Sequence, residues 1–160
     1  SGLVVDPNDT LSSLYRLFRP RDVFVLAAIG TAGVGVYHSF SDGAYNTLDS
    51  GVAQKRIALP WLQLIKKTEV PFKPLSQLLS ENSITEIGLL TIDVEGKDLE
   101  VLKTHNWTIR PHVIAVEEEN FNPDEPRTSA VYEYLRDKNY TLAGLCGLTL
   151  LFRDGAIKNS

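Results

Sequence analysis

Four carboxylate side chains stand where this sequence is expected to do chemistry. Asp6, Asp93, Glu95 and Glu117 each lie at or just past the end of a short apolar run that is typical of a buried strand. Because ligands of open parallel α/β sheets bind outside the carboxyl ends of the strands, we expect these groups to gather at one sheet edge. Carboxylates placed together repel one another unless a ligand, a cation or a hydroxyl donor uses them, which favours a functional site.

Asp93 and Glu95 flank a tight turn that ends at Gly96. Glycine at this position allows a positive φ and a close approach of a ligand to the backbone. A carboxylate beside such a turn can serve as the general base for an attacking hydroxyl, or can orient that hydroxyl. Asp93 has an alternative role as the cap of the helix that begins near Lys97. After the next strand, one side chain of residues 117–119 is expected in the cleft and the others in solvent.

Asp6 ends the first apolar run, and the two oxygens of its carboxylate match the spacing of a ribose diol. The sequence therefore favours a nucleoside site at Asp6. Capping of the helix that follows Pro7 is the alternative role for this side chain.

The histidines and the single cysteine give no metal signature. His105 and His112 have no close carboxylate or cysteine partner in the sequence, and His38 is more typical of a structural residue than of a base. Cys146 lies in an apolar run and is expected in the core. We predict no metal centre, with a carboxylate site for Mg²⁺ or Ca²⁺ kept as an alternative.

Apolar strands alternate with helical patterns along the chain, which predicts an α/β doubly wound domain with a C-terminal antiparallel hairpin. Strands are expected over residues 3–6, 22–29, 87–92 and 112–116, helices over 11–18, 74–79, 97–103 and 128–138, and the hairpin over 140–145 and 148–153. The segment after residue 30 should turn into an edge strand that ends near residue 40. Residues 41–55 are expected to form a mobile loop, and residues 57–70 to hold an extended segment.

Length and composition limit the classes of protein to which this chain can belong. A chain of 160 residues fits one compact domain, residues 1–160, and its hydrophobic fraction of 43% is ordinary for a globular protein. The formal net charge of −4 argues against general nucleic-acid binding, which needs a basic surface. No apolar stretch is long enough to span a bilayer, and one cysteine rules out an internal disulfide framework, so a cytoplasmic setting is expected.

Two segments carry a family resemblance. Residues 90–102 read Leu-Thr-Ile-Asp-Val-Glu-Gly-Lys-Asp-Leu-Glu-Val-Leu, and residues 110–117 read Arg-Pro-His-Val-Ile-Ala-Val-Glu. They resemble the hallmark of FkbM-family methyltransferases: a strand ending in an acidic-x-Glu-Gly turn, a helix beginning with an acidic pair, and a later strand ending in Glu. Residues 4–8, 26–30 and 134–140 also resemble that family's ribose segment, its strand near the adenine and its entry to the last hairpin.

The resemblance implies an O-methyltransferase that uses S-adenosyl-L-methionine and has a Rossmann-like class I sheet. Its acceptor would be a hydroxyl of a sugar, a glycan or a polyketide-like small molecule. The catalytic group implied is Asp93, Glu95 and Glu117, and the cofactor would be held by Asp6, Asn8, Ala28, Ile29 and Asp93. A non-catalytic methyltransferase-like interaction domain is the alternative.

The family pattern also places an Asp-x-Gly-(Ala)-Asn-x-Gly loop after its first strand, and this sequence begins after that point. The glycines at positions 30, 33 and 35 lead into a strand instead, so they replace the loop poorly. We therefore expect the first strand of the sheet to be missing from this chain, which leaves a central edge open and cofactor affinity weakened. An open edge invites pairing with a second chain, so a homo-oligomer is one expected arrangement.

Overall fold

The computed structural model describes residues 1–94 and 96–157, and it has the mixed α/β character that the sequence predicts. The chain forms two compact units, unit 1 at Ser1–Pro74 and unit 2 at Leu75–Ser160. Each unit has sheets of its own. That residues 1–160 make a single domain stays a prediction.

Unit 1 contains five strands in two sheets. The strands are β1 at Leu3–Asp6, β2 at Val23–Leu26, β3 at Ala28–Ile29, β4 at Gly33–Phe40 and β5 at Leu64–Lys73. β1 pairs in parallel with β2, whereas β5 lies between β3, its parallel partner, and β4, its antiparallel partner. The strand predicted over residues 22–29 therefore divides at the fully buried Ala27, with each part in a different sheet.

Unit 1 also contains two helices, α1 at Leu11–Phe18 and α2 at Ser50–Ile57, and a 3₁₀ turn at Gly43–Tyr45. The prediction of a mobile loop over residues 41–55 is wrong, because the two turn signals there are helix caps. Asp42 Oδ1 accepts from the Ala44 N–H at 3.1 Å, and Asp49 Oδ1 accepts from the Val52 N–H at 2.8 Å. Both side chains satisfy N–H groups that would otherwise lack partners at a helix start.

Unit 2 is built on one four-stranded sheet. Its strands are β6 at Leu89–Ile92, β7 at Val113–Glu117, β8 at Tyr140–Cys146 and β9 at Thr149–Asp154, in the order β6-β7-β9-β8. β6 and β7 are parallel and the other pairs are antiparallel, so the predicted C-terminal hairpin is confirmed. Its helices are α3 at Leu75–Glu81, α4 at Asp98–Lys103 and α5 at Ala130–Asp137, with a 3₁₀ turn at Pro126–Thr128.

The core of unit 2 lies around the two central strands. Ile114 and Val116 of β7 and Leu150 and Phe152 of β9 are fully buried, and the strand register places all four on one face of the sheet. The hairpin turns at Gly147, whose φ is +60°. Cys146 stands beside that turn and is exposed, so the prediction of a core cysteine is wrong. Strand ends at a hairpin turn reach the surface even when their sequence is apolar.

Arg110, which precedes β7, binds residues at the two ends of the C-terminal hairpin. Its Nε and Nη2 donate to the two oxygens of Asp154 at 2.9 and 2.8 Å, and Nη2 also donates to the Lys138 carbonyl at 2.8 Å. The guanidinium lies 4.7 Å from the ring centroid of Tyr140, whose hydroxyl donates to the Pro111 carbonyl at 2.7 Å. The Arg110 guanidinium holds the pKa of Asp154 below its usual range.

Among the residues that the structure describes, no helix combines the length and the apolar character needed to cross a membrane.

Candidate functional site

Two of the predicted carboxylates lie at the same edge of the unit 2 sheet. Glu117 is the last residue of β7, and Asp93 directly follows Ile92, the last residue of β6. Ile92 is paired with Val116 in the parallel register, so both strands end at the same level. The Asp93 side chain is exposed and that of Glu117 is half-buried. The edge is where ligands of parallel α/β sheets bind.

In the segment between β6 and α4, Gly96 has the backbone conformation that the sequence predicts. Gly96 has a φ of +81°, which glycine adopts without strain. The residue at the N-cap position of α4 is Lys97, and its side chain makes no capping hydrogen bond. Asp93 therefore does not occupy the N-cap that was its alternative role. Glu95 lies outside the described residues.

Asp98, which sequence reasoning missed, is the most deeply buried carboxylate of this region. It begins α4 and is 3% exposed, and its Oδ1 has no hydrogen-bond partner. Burial raises the pKa of the Asp98 carboxyl, the nearby Asp93 carboxylate raises it further, and backbone N–H groups oppose both effects. One signal was available: Asp98 lies three and four positions before Val101 and Leu102, which are both buried, and so shares their helix face.

A cleft of about 520 Å³ opens beside this edge within unit 2. Its lining includes Gly96 and Asp98 from the turn and α4, Glu117–Asn120 from the end of β7 and the residues after it, and Val131 from α5. This volume is in the range of small-molecule sites in proteins. The turn and the strand end that carry the predicted site residues thus border one cavity.

In unit 1, Asp6 and Asn8 hold the turn between β1 and α1. Asp6 is the last residue of β1, and its Oδ1 accepts from the Asn8 N–H at 2.7 Å. The Asn8 Oδ1 in turn accepts from the Thr10 N–H at 3.1 Å and from the Thr10 hydroxyl at 2.7 Å. Asp6 is half-buried, and this burial raises the pKa of its carboxyl while the Asn8 N–H opposes the shift.

Ala28 and Ile29 form the short strand β3, where Ala28 is buried and Ile29 is half-buried. The glycines that follow them pack against an aromatic ring. A Cβ at Gly30 would lie 2.7 Å from the ring of Phe72, and a Cβ at Gly35 would lie closer still. Gly30 and Gly35 therefore make room for the Phe72 ring and leave no open space there for a cofactor.

Among residues 1–94 and 96–157, no group of three or more His, Cys, Asp or Glu side chains is arranged to hold a metal ion. The alternative of a carboxylate site for Mg²⁺ or Ca²⁺ thus has no ligand set in that part of the chain.

Comparison with known proteins points to a family. A family model described as the methyltransferase FkbM domain matches residues 2–142, a range that includes Asp6, Asp93 and Glu117. No curated protein and no solved structure gives a significant match.

Proposed function

Since the chain belongs to the FkbM methyltransferase family, we propose that it is an S-adenosyl-L-methionine-dependent O-methyltransferase. Its acceptor is a hydroxyl of a sugar, a glycan or a polyketide-like small molecule. The observation that supports the proposal most is the edge of the unit 2 sheet, where Asp93 and Glu117 end parallel strands beside a cleft of small-molecule size.

The cofactor side of the proposal rests on unit 1. Asp6 would accept the ribose hydroxyls, with Asn8, Ala28 and Ile29 as neighbouring contacts. A carboxylate that is half-buried and fixed through one oxygen to the Asn8 N–H is held in place for such a role. S-adenosyl-L-methionine would supply a methyl group that its sulfonium already activates.

Methyl transfer to the acceptor requires that its hydroxyl is bound, aligned with the methyl group and deprotonated. Asp93 is our choice for the base or for the group that orients the hydroxyl, because it is exposed at the sheet edge and adjoins the turn at Gly96. Asp93 is also proposed to contact the cofactor. Glu117 would position the substrate, and Glu95 is assigned a role of the same kind from the motif alone.

We further propose that residues 1–160 belong to one methyltransferase-like domain with a Rossmann-like class I sheet. The family match extends across the boundary between the two units, which supports a common domain. The order β6-β7-β9-β8 with an antiparallel last pair supports the class I assignment.

A non-catalytic interaction domain is the second candidate, and one observation favours it. The helix α1 buries none of its residues and exposes Leu17 and Phe18. Exposed apolar side chains of this size are typical of surfaces that bind another protein.

The proposal is tested by methyl transfer from labelled S-adenosyl-L-methionine to a panel of sugars and hydroxylated small molecules. We expect label in methyl ethers, which survive mild alkali. We also expect Asp93→Asn to lower the rate by about 10²–10⁴-fold, the usual contribution of a general base. The exposed Asp137 supplies a matched control, since Asp137→Asn should leave the rate unchanged. Label found only in alkali-labile esters, or none above the protein-free rate, would count against the proposal.

A further inference from the structure

The bend that follows α4 in unit 2 holds a bulky residue in a backbone conformation that bulky residues rarely adopt. Trp107 has a φ of +62°, in the left-handed region that favours glycine and small polar residues. A conformation of this kind persists only where the surrounding contacts impose it. The contacts of Trp107 therefore show what the bend depends on.

The indole ring of Trp107 is fixed by three neighbouring rings. It stacks on His105 with ring centroids 4.8 Å apart, and its centroid lies 6.0 Å from that of Tyr134 and 5.7 Å from that of Tyr140. The indole Nε1 donates to the Tyr134 hydroxyl at 3.1 Å. These contacts position the side chain, but they leave the backbone N–H of Trp107 to another partner.

That partner is the buried side chain of His105. The Trp107 N–H donates to His105 Nδ1 at 3.3 Å, and His105 is only 4% exposed. A neutral imidazole that accepts at Nδ1 carries its hydrogen on Nε2. The backbone N–H of His105 donates to the Leu102 carbonyl of α4 at 3.1 Å. His105 thus joins the bend to α4, and its Nδ1 can accept only while it is unprotonated.

The surroundings of His105 favour the neutral ring. Burial lowers the pKa of His105, the Ile109 carbonyl opposes this shift, and the Arg110 guanidinium adds to it. In the part of the chain that the structure describes, Asp154 is bound to Arg110 and no carboxylate pairs with the His105 ring. The charged and titratable side chains of the neighbouring elements are Lys103 of α4, Arg110, Tyr134 and Lys138 at α5, and Tyr140 and Asp154 of the hairpin, whereas α3 meets the bend through the uncharged Leu75 and Ser76.

We propose that residues 105–109 form an acid-sensitive bend, in which a proton taken up at His105 Nδ1 removes the acceptor of the Trp107 N–H and releases Trp107 from its positive φ. Two donors would then face each other where one hydrogen bond had been. The stacked indole attracts a cation through its face, but this attraction does not replace the lost acceptor. Since the folded chain favours neutral His105, the bend is stable above the usual pKa of 6.5 and weakens as the pH falls below it.

Opening of the bend would change the wall of a second cleft in unit 2. Asn106, Thr108 and Ile109 line this cleft, of about 350 Å³, together with residues of α3 and the segment after it. It shares no lining residue with the cleft at Asp98 and Glu117. The proposal therefore does not depend on methyl transfer.

The test is a pH titration of the ¹⁵N-labelled 160-residue chain by NMR, from about pH 8 to about pH 5, where histidine changes its charge. At the upper end we expect the hydrogen of His105 on Nε2. We also expect a strong signal between the amide and α hydrogens of Trp107, since positive φ brings these two hydrogens close together. On acidification this signal should weaken with the same midpoint as protonation of His105 Nδ1, below the usual 6.5.

Two variants separate this bend from other effects of acid. His105→Asn keeps an oxygen acceptor for the Trp107 N–H without a group that titrates, as Asn106 Oδ1 already accepts from the Thr108 N–H at the same spacing. It should keep the Trp107 signal strong across the whole range. His112→Asn changes an exposed histidine and should show the transition of the unsubstituted chain.

The proposal is overturned if neutral His105 carries its hydrogen on Nδ1, if protonation leaves the Trp107 signal unchanged, or if His105 takes up no proton before the chain unfolds. An acid transition of Trp107 in His105→Asn like that of the unsubstituted chain would overturn it as well. Should His105→Asn not fold, the titrations of the unsubstituted chain and of His112→Asn decide by the first three criteria.

Discussion

The two units differ in how completely they cover their apolar side chains. In unit 2, α5 buries Val131 and Leu135 against the sheet. In unit 1, α1 buries none of its residues, and Leu17 and Phe18 are 70% and 74% exposed. Both helices have amphipathic sequences, so the apolar pattern that makes a helix amphipathic does not by itself provide a surface that covers it. We conclude that packing stabilises unit 2 more than the region of unit 1 around α1.

The units also differ in how they hold their buried carboxylates. Asp6 in unit 1 has one oxygen bound to the Asn8 N–H of its own turn, whereas Asp98 in unit 2 has an oxygen without a partner. The first arrangement keeps a side chain in place, whereas the second leaves one buried carboxylate oxygen without a donor.

A large effect on stability is expected from Arg110 in unit 2. Arg110→Ala removes both hydrogen bonds to the buried Asp154 and leaves that carboxylate uncompensated, so we expect a loss of about 3 kcal/mol in the free energy of unfolding. Chemical denaturation of a Trp61→Phe background measures it, since Trp107 of unit 2 is then the only tryptophan. Arg136→Ala, which removes an exposed ion pair with Glu133, is the control. It should lower the free energy of unfolding by only about a few tenths of a kcal/mol, the usual value for exposed pairs. Equal losses in the two variants would show that the Arg110 pair does not stabilise unit 2.

A second effect is expected at high pH and comes from Tyr140. Burial raises the pKa of Tyr140 from the usual 10.0 to about 12. Because the folded state favours the neutral phenol, the free energy of unfolding is unaffected below pH 10 and falls as the pH rises through about 12, by about 3 kcal/mol in all. Denaturation of the Trp61→Phe background across this pH window measures the loss.

Tyr140→Phe is the control for this pH dependence, since phenylalanine cannot ionise. Its free energy of unfolding should fall less steeply over the same window. Parallel curves for tyrosine and phenylalanine at this position would mean that Tyr140 ionises as readily in the folded chain as in the unfolded one.

The smallest effect is expected on α1 of unit 1. Leu17→Ala should change the free energy of unfolding by less than about 0.5 kcal/mol, because the side chain is already 70% exposed. A Trp107→Phe background, in which Trp61 reports on unit 1, measures it. Leu135→Ala in the Trp61→Phe background is the comparison in unit 2, where a fully buried leucine should cost about 2–5 kcal/mol. A loss above about 1 kcal/mol at Leu17 would mean that α1 is covered in solution.

The sequence predicted most strands and helices because periodicity and turn chemistry act locally. The apolar run that became β7 is buried on both faces, and Gly96 has the positive φ expected of the acidic turn. The sequence does not distinguish the helix caps at Asp42 and Asp49 from turns, since the same residue types begin helices and form loops. The predicted mobile loop is for this reason the place where α2 forms.

Other features depend on contacts distant in sequence and were not predictable. The division of one apolar run at Ala27 follows from which strands pair with its two parts, β1 and β5. The burial of Asp98 depends on how α4 packs, and the exposure of Cys146 on where the hairpin turns. Asp93 and Glu117 were placed at a sheet edge from sequence alone, because strand ends can be located by local pattern.

Calorimetry with S-adenosylhomocysteine tests the central claim most directly, namely that this chain is a methyltransferase whose cofactor contact is Asp6. We predict measurable binding to the 160-residue chain and a loss of about 10–100-fold in affinity for Asp6→Asn, as for a hydrogen bond to a charged group. Asparagine keeps an oxygen for the Asn8 N–H, and Asp9→Asn in the same turn region is the matched control, expected to bind as the unsubstituted chain does. No heat with the unsubstituted chain, or equal affinity for all three proteins, would contradict the account.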